Sequence, residues 1–431
     1  MISPEDNDLL CRVEGDAPMG RIMRHHWIPA CLSEEVAEPD GAPLAVRLLG
    51  EDFVVFRDSA GRLGVLDGLC PHRRAALVLG RNEECGLRCL YHGWKFDVAG
   101  NVLDMSSEPP DSRMRERLKH KAYPVREAGG FVWVYLGPAA EQPEFQAPAW
   151  APTATTRISV VRMQIRCNWA QVLEGAIDSA HSSSLHSTDM PSAPVGGAKA
   201  TGTVWPRPST DKSPRLQVQL EDWGFRYAAI RRPIHHPEAN DYVRITVFIA
   251  PFTVLIPPND RYNLAQAIIP VDDTHTMFNF IAWHETDGID QDAWRGFCAA
   301  VPGVDLGADW LPIRSLGNRY QQDRSVMRAG NFTGIKGIPN QDMAMWESMG
   351  PIGDRSKEKL GASDLAVVQF RRQLVAAARA VAAGKPAIGT GAGRIAPASL
   401  RSFEGVVPKG TDWRPLGAGP ATAASAEPAA A

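Results

Sequence analysis

No stretch of this 431-residue sequence is long and uncharged enough to read as a membrane span. The start, Met1-Ile2-Ser3-Pro4-Glu5-Asp6, is acidic and lacks the basic-then-apolar order of a secretory leader. Neither sign of charge is in surplus: 46 basic side chains stand against 49 acidic ones, which leaves no electrostatic footprint for nucleic acid or anionic lipid. Cysteines are few and odd in number, seven in all at 11, 31, 70, 85, 89, 167 and 298, and their scatter argues against a disulfide framework. There is also no flavin or nicotinamide fingerprint and no plant-type ferredoxin cysteine pattern. These absences predict a soluble, cytoplasmic protein whose cysteine chemistry is metal binding. Any redox reaction it runs must draw electrons from a partner.

What is present divides into segments. Ser3-Pro4-Glu5-Asp6 suits a helix start, so residues 1–26 form an N-terminal helical segment. From Trp27 the pattern turns to short alternating strands, Leu44 to Leu48 and Phe53 to Phe56, followed by the turn-forming Asp58-Ser59-Ala60-Gly61. This predicts a small antiparallel domain over 27–138. Four prolines between Pro138 and Pro152 mark a linker over 139–154. A second domain, 155–385, opens with an alternating strand from Ile158 to Cys167 and a helix from Trp169. It continues with strands at 215–219, 224–231, 242–250, 263–269 and 276–283, and helices at 290–301 and 363–383, the last capped by Ser363 and stopped by Gly384. The fold class is α+β with mostly antiparallel strands. Residues 386–431 are rich in Ala, Gly and Pro and read as an extended or disordered arm with little to bury.

Cys70-Pro71-His72-Arg73 and Cys89-Leu90-Tyr91-His92-Gly93-Trp94-Lys95-Phe96 supply two Cys-His pairs. Two thiolates with two imidazoles can bind zinc or an iron–sulfur cluster. Zinc modules usually pair Cys with Cys and His with His along the chain, whereas here each tip offers one of each, which suits two different irons. The arrangement resembles the Rieske motif, with Cys70 and Cys89 on the buried iron and His72 and His92 on the outer one. A structural zinc hairpin is the competing reading. Cys85 falls outside the pairing and reads as a free buried cysteine.

Asn168 to Gln171 has the form of a capping box, and Trp169, Val172, Leu173, Ala176 and Ala180 recur at helical spacing. Glu174, Asp178 and His181 would line another face and invite a metal. His186 follows His181 by five residues, about 140° on an ideal helix. Both can face one ion only if the turn through Ser182-Ser183-Ser184 is widened. A pair of unrelated surface histidines is the competing reading. With a carboxylate, the two would make a facial triad that leaves room for dioxygen on iron(II). The sequence offers 49 acids for that third place. An acid in a first helical turn would otherwise just complement the dipole.

Pro18-Met19-Gly20, Trp27-Ile28-Pro29-Ala30, the Cys-His pairs, Asp178-x2-His181-x4-His186 and Phe332 to Asp342 together resemble the phthalate dioxygenase group of Rieske non-haem iron oxygenases, over most of residues 1–380. Within it, Leu173 to His181 and Ala344 to Ser348 are similar to phenoxybenzoate and chlorobenzoate dioxygenases. The resemblance implies a Rieske domain joined to a helix-grip catalytic domain, holding a Rieske [2Fe-2S] cluster and a mononuclear Fe(II). It implies Asp342 as the third ligand beside His181 and His186. It implies trimers or stacked trimers in which Asp178 hydrogen-bonds His181 in its own subunit and His92 of the next. Ser179, Arg207 and Arg244 match carboxylate-binding positions. Arg244 has separate support, since alternation from Val243 to Ile249 places it with Thr246 and Phe248 on one face, although a solvent-exposed face would look the same.

The expected activity is dioxygenation of an aromatic carboxylate, using O2 and electrons from an NADH-dependent reductase with flavin and a second [2Fe-2S] centre. O-demethylation of a methoxybenzoate by the same metals is the alternative enzyme reading. A Rieske electron carrier or a zinc-stabilised binding module are the non-enzymatic ones.

Overall fold

A computed structural model describes residues 2–109, 111–193, 205–258 and 262–417. The first helix, Pro4–Cys11, starts where expected, with Ser3 Oγ accepting from Asp6 N at 3.1 Å. A second helix, Pro18–Arg24, follows, and both pack on the long helix Leu365–Ala382, so the N-terminal segment belongs physically to the second domain.

Three small antiparallel sheets build the first domain. One joins Trp27–Leu32, Phe131–Tyr135 and Val125–Ala128; another joins Leu44–Leu48, Glu51–Arg57 and Leu63–Asp67. The third, of four short strands from Arg81–Glu83 to Val102–Asp104, carries one cysteine tip and has its own core of Val54, Phe56, Leu66, Leu77, Leu87, Trp94 and Phe96 around Cys70 and Cys89. Cys85 is half-buried at the turn before Gly86, not buried as expected; its φ of 57° belongs to the turn geometry.

The second domain is one eight-stranded antiparallel sheet that grips the helix Trp169–Ala176. Its path runs Arg157–Ile165, Thr276–His284, Asn263–Pro270, Thr253–Ile256, Asn240–Ile249, Gly224–Arg231, Arg215–Glu221. The strand Thr253–Ile256 is absent from the sequence reading, being only 4 residues long. Its shortness leaves half of one edge of Asn240–Ile249 open, and Phe403–Pro408 fills it, pairing Asn240 to Ile245. The supposed arm is therefore a structural strap as far as residue 417. Trp413 is buried among Ala228, Ile230, Val243 and Ile245. The apolar residues that do this were too few to outweigh the Ala/Gly/Pro composition, and residues 418–431 lie outside the described ones.

Other local expectations change for identifiable reasons. Asn168 caps its helix, accepting from Ala170 N at 3.0 Å, but Gln171 does not close a capping box; its amide donates to Trp346 O and Gly350 O, both at 3.0 Å. Ser363 lies in a 3-10 turn and the helix begins at Leu365, with Asp364 turned back to accept from Gly361 N at 2.6 Å. Gly384, at φ 77°, does end it. The Arg244 face is not exposed: Asn240–Ile249 is buried on both sides from Asp241 onward. Among the described residues no helix is long and apolar enough to cross a membrane.

Candidate metal centres and the adjoining cavity

The two cysteine tips are sister turns. Arg74 N donates to Cys70 O (2.9 Å) and Gly93 N to Cys89 O (3.0 Å), each with positive φ at the turn, 58° and 74°. The turns bring the His72 and His92 rings to 4.4 Å between centroids, and Trp94 stacks on His72 at 4.4 Å and 8°. Both histidine Nδ1 atoms are buried with no hydrogen-bond partner, an arrangement that leaves two orphaned polar atoms unless each ligates something. Burial and the neighbouring Cys89 push the Cys70 thiol up to about 11, against the opposing backbone N–H groups of His72 and Arg73. Thiolates here need a cation to hold their charge. Two buried sulfurs and two outward imidazoles fit a Rieske cluster.

The second centre begins where the helix Trp169–Ala176 stops. Gly175 is required there, because a Cβ would lie 2.1 Å from Trp346 Nε1. Tyr227 Oη donates to Ile177 O at 2.6 Å and ties the helix end to the sheet. Asp178 Oδ1 then accepts from Ala180 N (2.7 Å) and His181 N (3.4 Å), turning the chain into a 3-10 turn at His181–Ser183. This is the loosened turn that the five-residue spacing demands. It places His181 Nε2 3.1 Å from His186 Nε2. Glu174 does not join them: burial would raise its carboxyl, but Arg355 and Arg371, at 2.9 and 2.8 Å, hold it below the ordinary range.

Asp342 arrives from the helix Ile338–Ser348 at its fifth position, so it is not a first-turn acid complementing the dipole. Gly337, at φ 83°, allows the close approach of that helix to Cys298 O. Asp342 Oδ1 lies 3.0 Å from His186 Nε2 and 3.6 Å from His181 Nε2. Adjacent corners of an octahedron of about 2.1 Å radius lie about 3.0 Å apart, so these three atoms fit one face around an ion. Among the described residues this is the one cluster of three or more such side chains placed to hold a metal. Asp178 Oδ2 is 3.5 Å from His181 Nδ1. Burial would raise the Asp178 carboxyl, and its bonds to His181 and the Ala180 N–H more than reverse that.

A cavity opens beside the triad, walled by Trp205, Ile256, Phe278 and Phe280 and reached by Ser179, Arg244, Thr246 and Gln266. Arg244 is ion-paired with Glu404 at 2.9 Å, and Tyr242 Oη also donates to Glu404. Burial works against the Arg244 charge, and Glu404 and Tyr242 restore it. Arg207 is buried behind the cavity, donating to Ser182 Oγ at 2.9 Å and Ser182 O at 3.1 Å. Sequence reasoning missed Arg231, whose Nη2 donates to Ser179 O at 2.7 Å. Its signal was alternation on Gly224–Arg231, where it shares a face with Phe225 and Tyr227. Neither Arg207 nor Arg231 has an ion pair among the described residues, and burial together with the other arginines pulls both down to about 10. Glu404 was also missed, lying in the supposed arm.

A Cys2His2 tip and a two-histidine, one-carboxylate triad in the same chain define a class of enzyme: an oxygenase with an iron–sulfur centre and a non-haem iron. Residues 26–124 match the Rieske [2Fe-2S] domain family, and residues 134–430 match the family described as LigXa C-terminal domain like. The chain belongs to the Rieske non-haem iron oxygenases, as an oxygenase component of the phthalate dioxygenase group.

It is 60% identical to the phthalate 4,5-dioxygenase oxygenase subunit of Pseudomonas putida, over 96% of this chain and 94% of that one. It is 36% identical to the 3-chlorobenzoate-3,4-dioxygenase oxygenase subunit of Comamonas testosteroni, over 96% and 97%. The phenoxybenzoate dioxygenase subunit alpha of Ectopseudomonas oleovorans matches at 28% over 85% and 83%. Among solved structures, Pseudomonas putida CBB5 NdmA with caffeine superposes with a TM-score of 0.60 at 20% identity, covering 85% of this chain and 94% of that one. That likeness concerns the fold. The chain is thus an oxidoreductase that carries a Rieske [2Fe-2S] cluster and a mononuclear iron and depends on a reductase.

Proposed function

We propose that this chain dioxygenates an aromatic carboxylate, with a phthalate-like dicarboxylate as the best-fitting substrate. Cys70, His72, Cys89 and His92 hold the cluster, and His181, His186 and Asp342 hold the iron. The observation that carries the substrate reading is that Arg207 and Arg231, both buried beside the triad, have no ion pair among the described residues. A dianion would supply the missing countercharge, and buried charge is tolerated only when paired. The 60% identity to a phthalate enzyme points the same way.

The bound iron supplies dioxygen activation. The residues of the chain supply position. Arg244 lines the cavity with Nη1 held by Glu404 and Tyr242, and its guanidinium would grip a substrate carboxylate. Arg207 and Arg231 add field from behind, and Ser179 offers a hydroxyl at the cavity wall. Trp205, Phe278 and Phe280 hold the ring face and exclude water.

Asp178 commits Oδ1 to its own backbone turn and keeps Oδ2 for His181 and a second donor. In the proposed trimer or stacked hexamer that donor is His92 of the partner subunit. Supporting this, a second cleft, which shares Asp178, His181 and Asp342 with the cavity at Arg244, opens past the exposed Met345 and Met349, and Leu90 and Tyr91 stand exposed beside His92. Electrons would come from an NADH-dependent reductase with flavin and a [2Fe-2S] centre, in the cytoplasm. A turnover screen of substituted benzoates and phthalates with a compatible reductase, read as product formed, tests the proposal: oxygenated phthalate supports it, and turnover of uncharged aromatics alone contradicts it.

A further inference from the structure

The two triad histidines are held in different ways. His181 leans on a carboxylate at 3.5 Å and is partly exposed. His186 is buried, and its Nδ1 lies 2.8 Å from Gln341 Oε1. The orientation of that amide follows from its other contacts: Gln341 Nε2 lies 2.9 Å from Asp189 Oδ2 and 3.0 Å from Ile335 O, both acceptors, so the nitrogen must face them and the oxygen must face His186. An oxygen can only accept. The proton of the neutral His186 ring therefore sits on Nδ1, and the Nε2 lone pair points at Asp342 and His181.

We propose that Gln341 and Asp189 are positioning residues that fix the tautomer and ring plane of His186 and so set how tightly the mononuclear site holds its metal. Gln341 precedes Asp342 on one helix, so a single rigid turn presents both a carboxylate ligand and the partner of an imidazole ligand. Asp189 lies on the turn after His186, its N donating to His186 O at 3.0 Å. The chain from His186 through Gln341 to Asp189 thus closes on itself. With the opposite tautomer, an N–H would point into the metal site, and the Nδ1 lone pair would face the Gln341 oxygen. The inference rests on the reading of His186 as a ligand.

The test measures Fe(II) affinity of the full chain, with its cluster intact, by competition with a ferrous chelator; the visible absorbance of the cluster reports the first domain, and the melting temperature reports the second. Gln341→Leu should bind Fe(II) roughly 10- to 100-fold more weakly than the parent. Gln341→Glu combined with Asp189→Asn restores an acceptor for His186 and a donor at position 189, while it still lacks the donation to Ile335 O. This double variant should recover affinity to within about threefold of the parent, because the His186 bond is the one that matters. If Gln341 merely props the loop at Ile335, the double variant fails as badly as Gln341→Leu, and the proposal is overturned. Unchanged affinity in Gln341→Leu overturns it too. His186→Ala separates the levels: retention of Fe(II) there removes the ligand reading and the proposal with it, while loss there with retention in Gln341→Leu removes the positioning role alone.

Discussion

His181 Nε2 and His186 Nε2 lie 3.1 Å apart, and each ring has its other nitrogen turned toward an acceptor, Asp178 and Gln341. With those outer nitrogens carrying the ring protons, the two Nε2 lone pairs face each other, which is repulsive until a cation, a proton or a metal ion, accepts them. The same geometry makes Asp178 a neighbour of the metal site without being part of the triad.

Asp178→Asn keeps the backbone turn, since an amide oxygen still accepts from Ala180 N, and it leaves all seven proposed ligands in place. Iron and labile sulfide per chain should match the parent, while turnover falls by about 100-fold or more through loss of the charged link to His181. Metal analysis beside steady-state rates checks this. Loss of both metals would count against the bridging role.

Arg231→Gln removes a buried positive charge that makes no ion pair among the described residues. The KM for a carboxylate substrate should rise by roughly 10-fold, about 1.4 kcal/mol, from the loss of a buried positive charge behind the bound anion. Without substrate the variant should lose little heat stability, because relief from burial and from Arg244 offsets the lost bonds to Ser179 O and Asp211 O. Rate and melting measurements together read both halves.

Trp413→Ala opens a cavity beneath the C-terminal strap and should cost about 3–5 kcal/mol. Since the strap also delivers Glu404 to Arg244, carboxylate binding should weaken along with the melting temperature. A variant that melts like the parent would show the strap to be dispensable.

His26 sits under the strap with its Nε2 2.9 Å from Ile388 O. Burial, with His25 and Arg394 nearby, drops its pKa from 6.5 to about 4, despite the carbonyl. The unfolded chain therefore binds a proton between pH 6.5 and 4 that the folded chain refuses, so stability rises with pH across that window and levels off above it. Acidification through the window should cost on the order of 2 kcal/mol after allowing for partial exposure. His26→Gln should flatten this part of the pH–stability curve.

Much of the candidate site was legible because its proposed ligands are local in sequence. Cys70 with His72, Cys89 with His92, and Asp178 through His186 each sit on one turn, and the five-residue gap between the histidines predicted the distortion that the Asp178 turn creates. Asp342 needed family resemblance, since nothing local ties it to residues some 160 positions earlier. Contacts made by sheet pairing were not legible. Glu404 reaches Arg244 only because a 4-residue strand leaves an edge open, and a segment rich in Ala, Gly and Pro fills it. Arg231 meets Ser179 O, 52 residues earlier and past the end of the helix Trp169–Ala176, a contact that strand alternation does not reveal. Glu174 misled for the opposite reason: it shares a helical stripe with Asp178, yet the helix ends at Ala176 and two arginines claim it.

The most direct test of the account is product analysis of the cluster- and iron-loaded enzyme with phthalate, NADH and a compatible reductase under doubly labelled 18O2. A cis-dihydrodiol carrying both labels from one dioxygen molecule is the predicted result. Singly labelled product, or formaldehyde from a methoxybenzoate with phthalate left untouched, would contradict it.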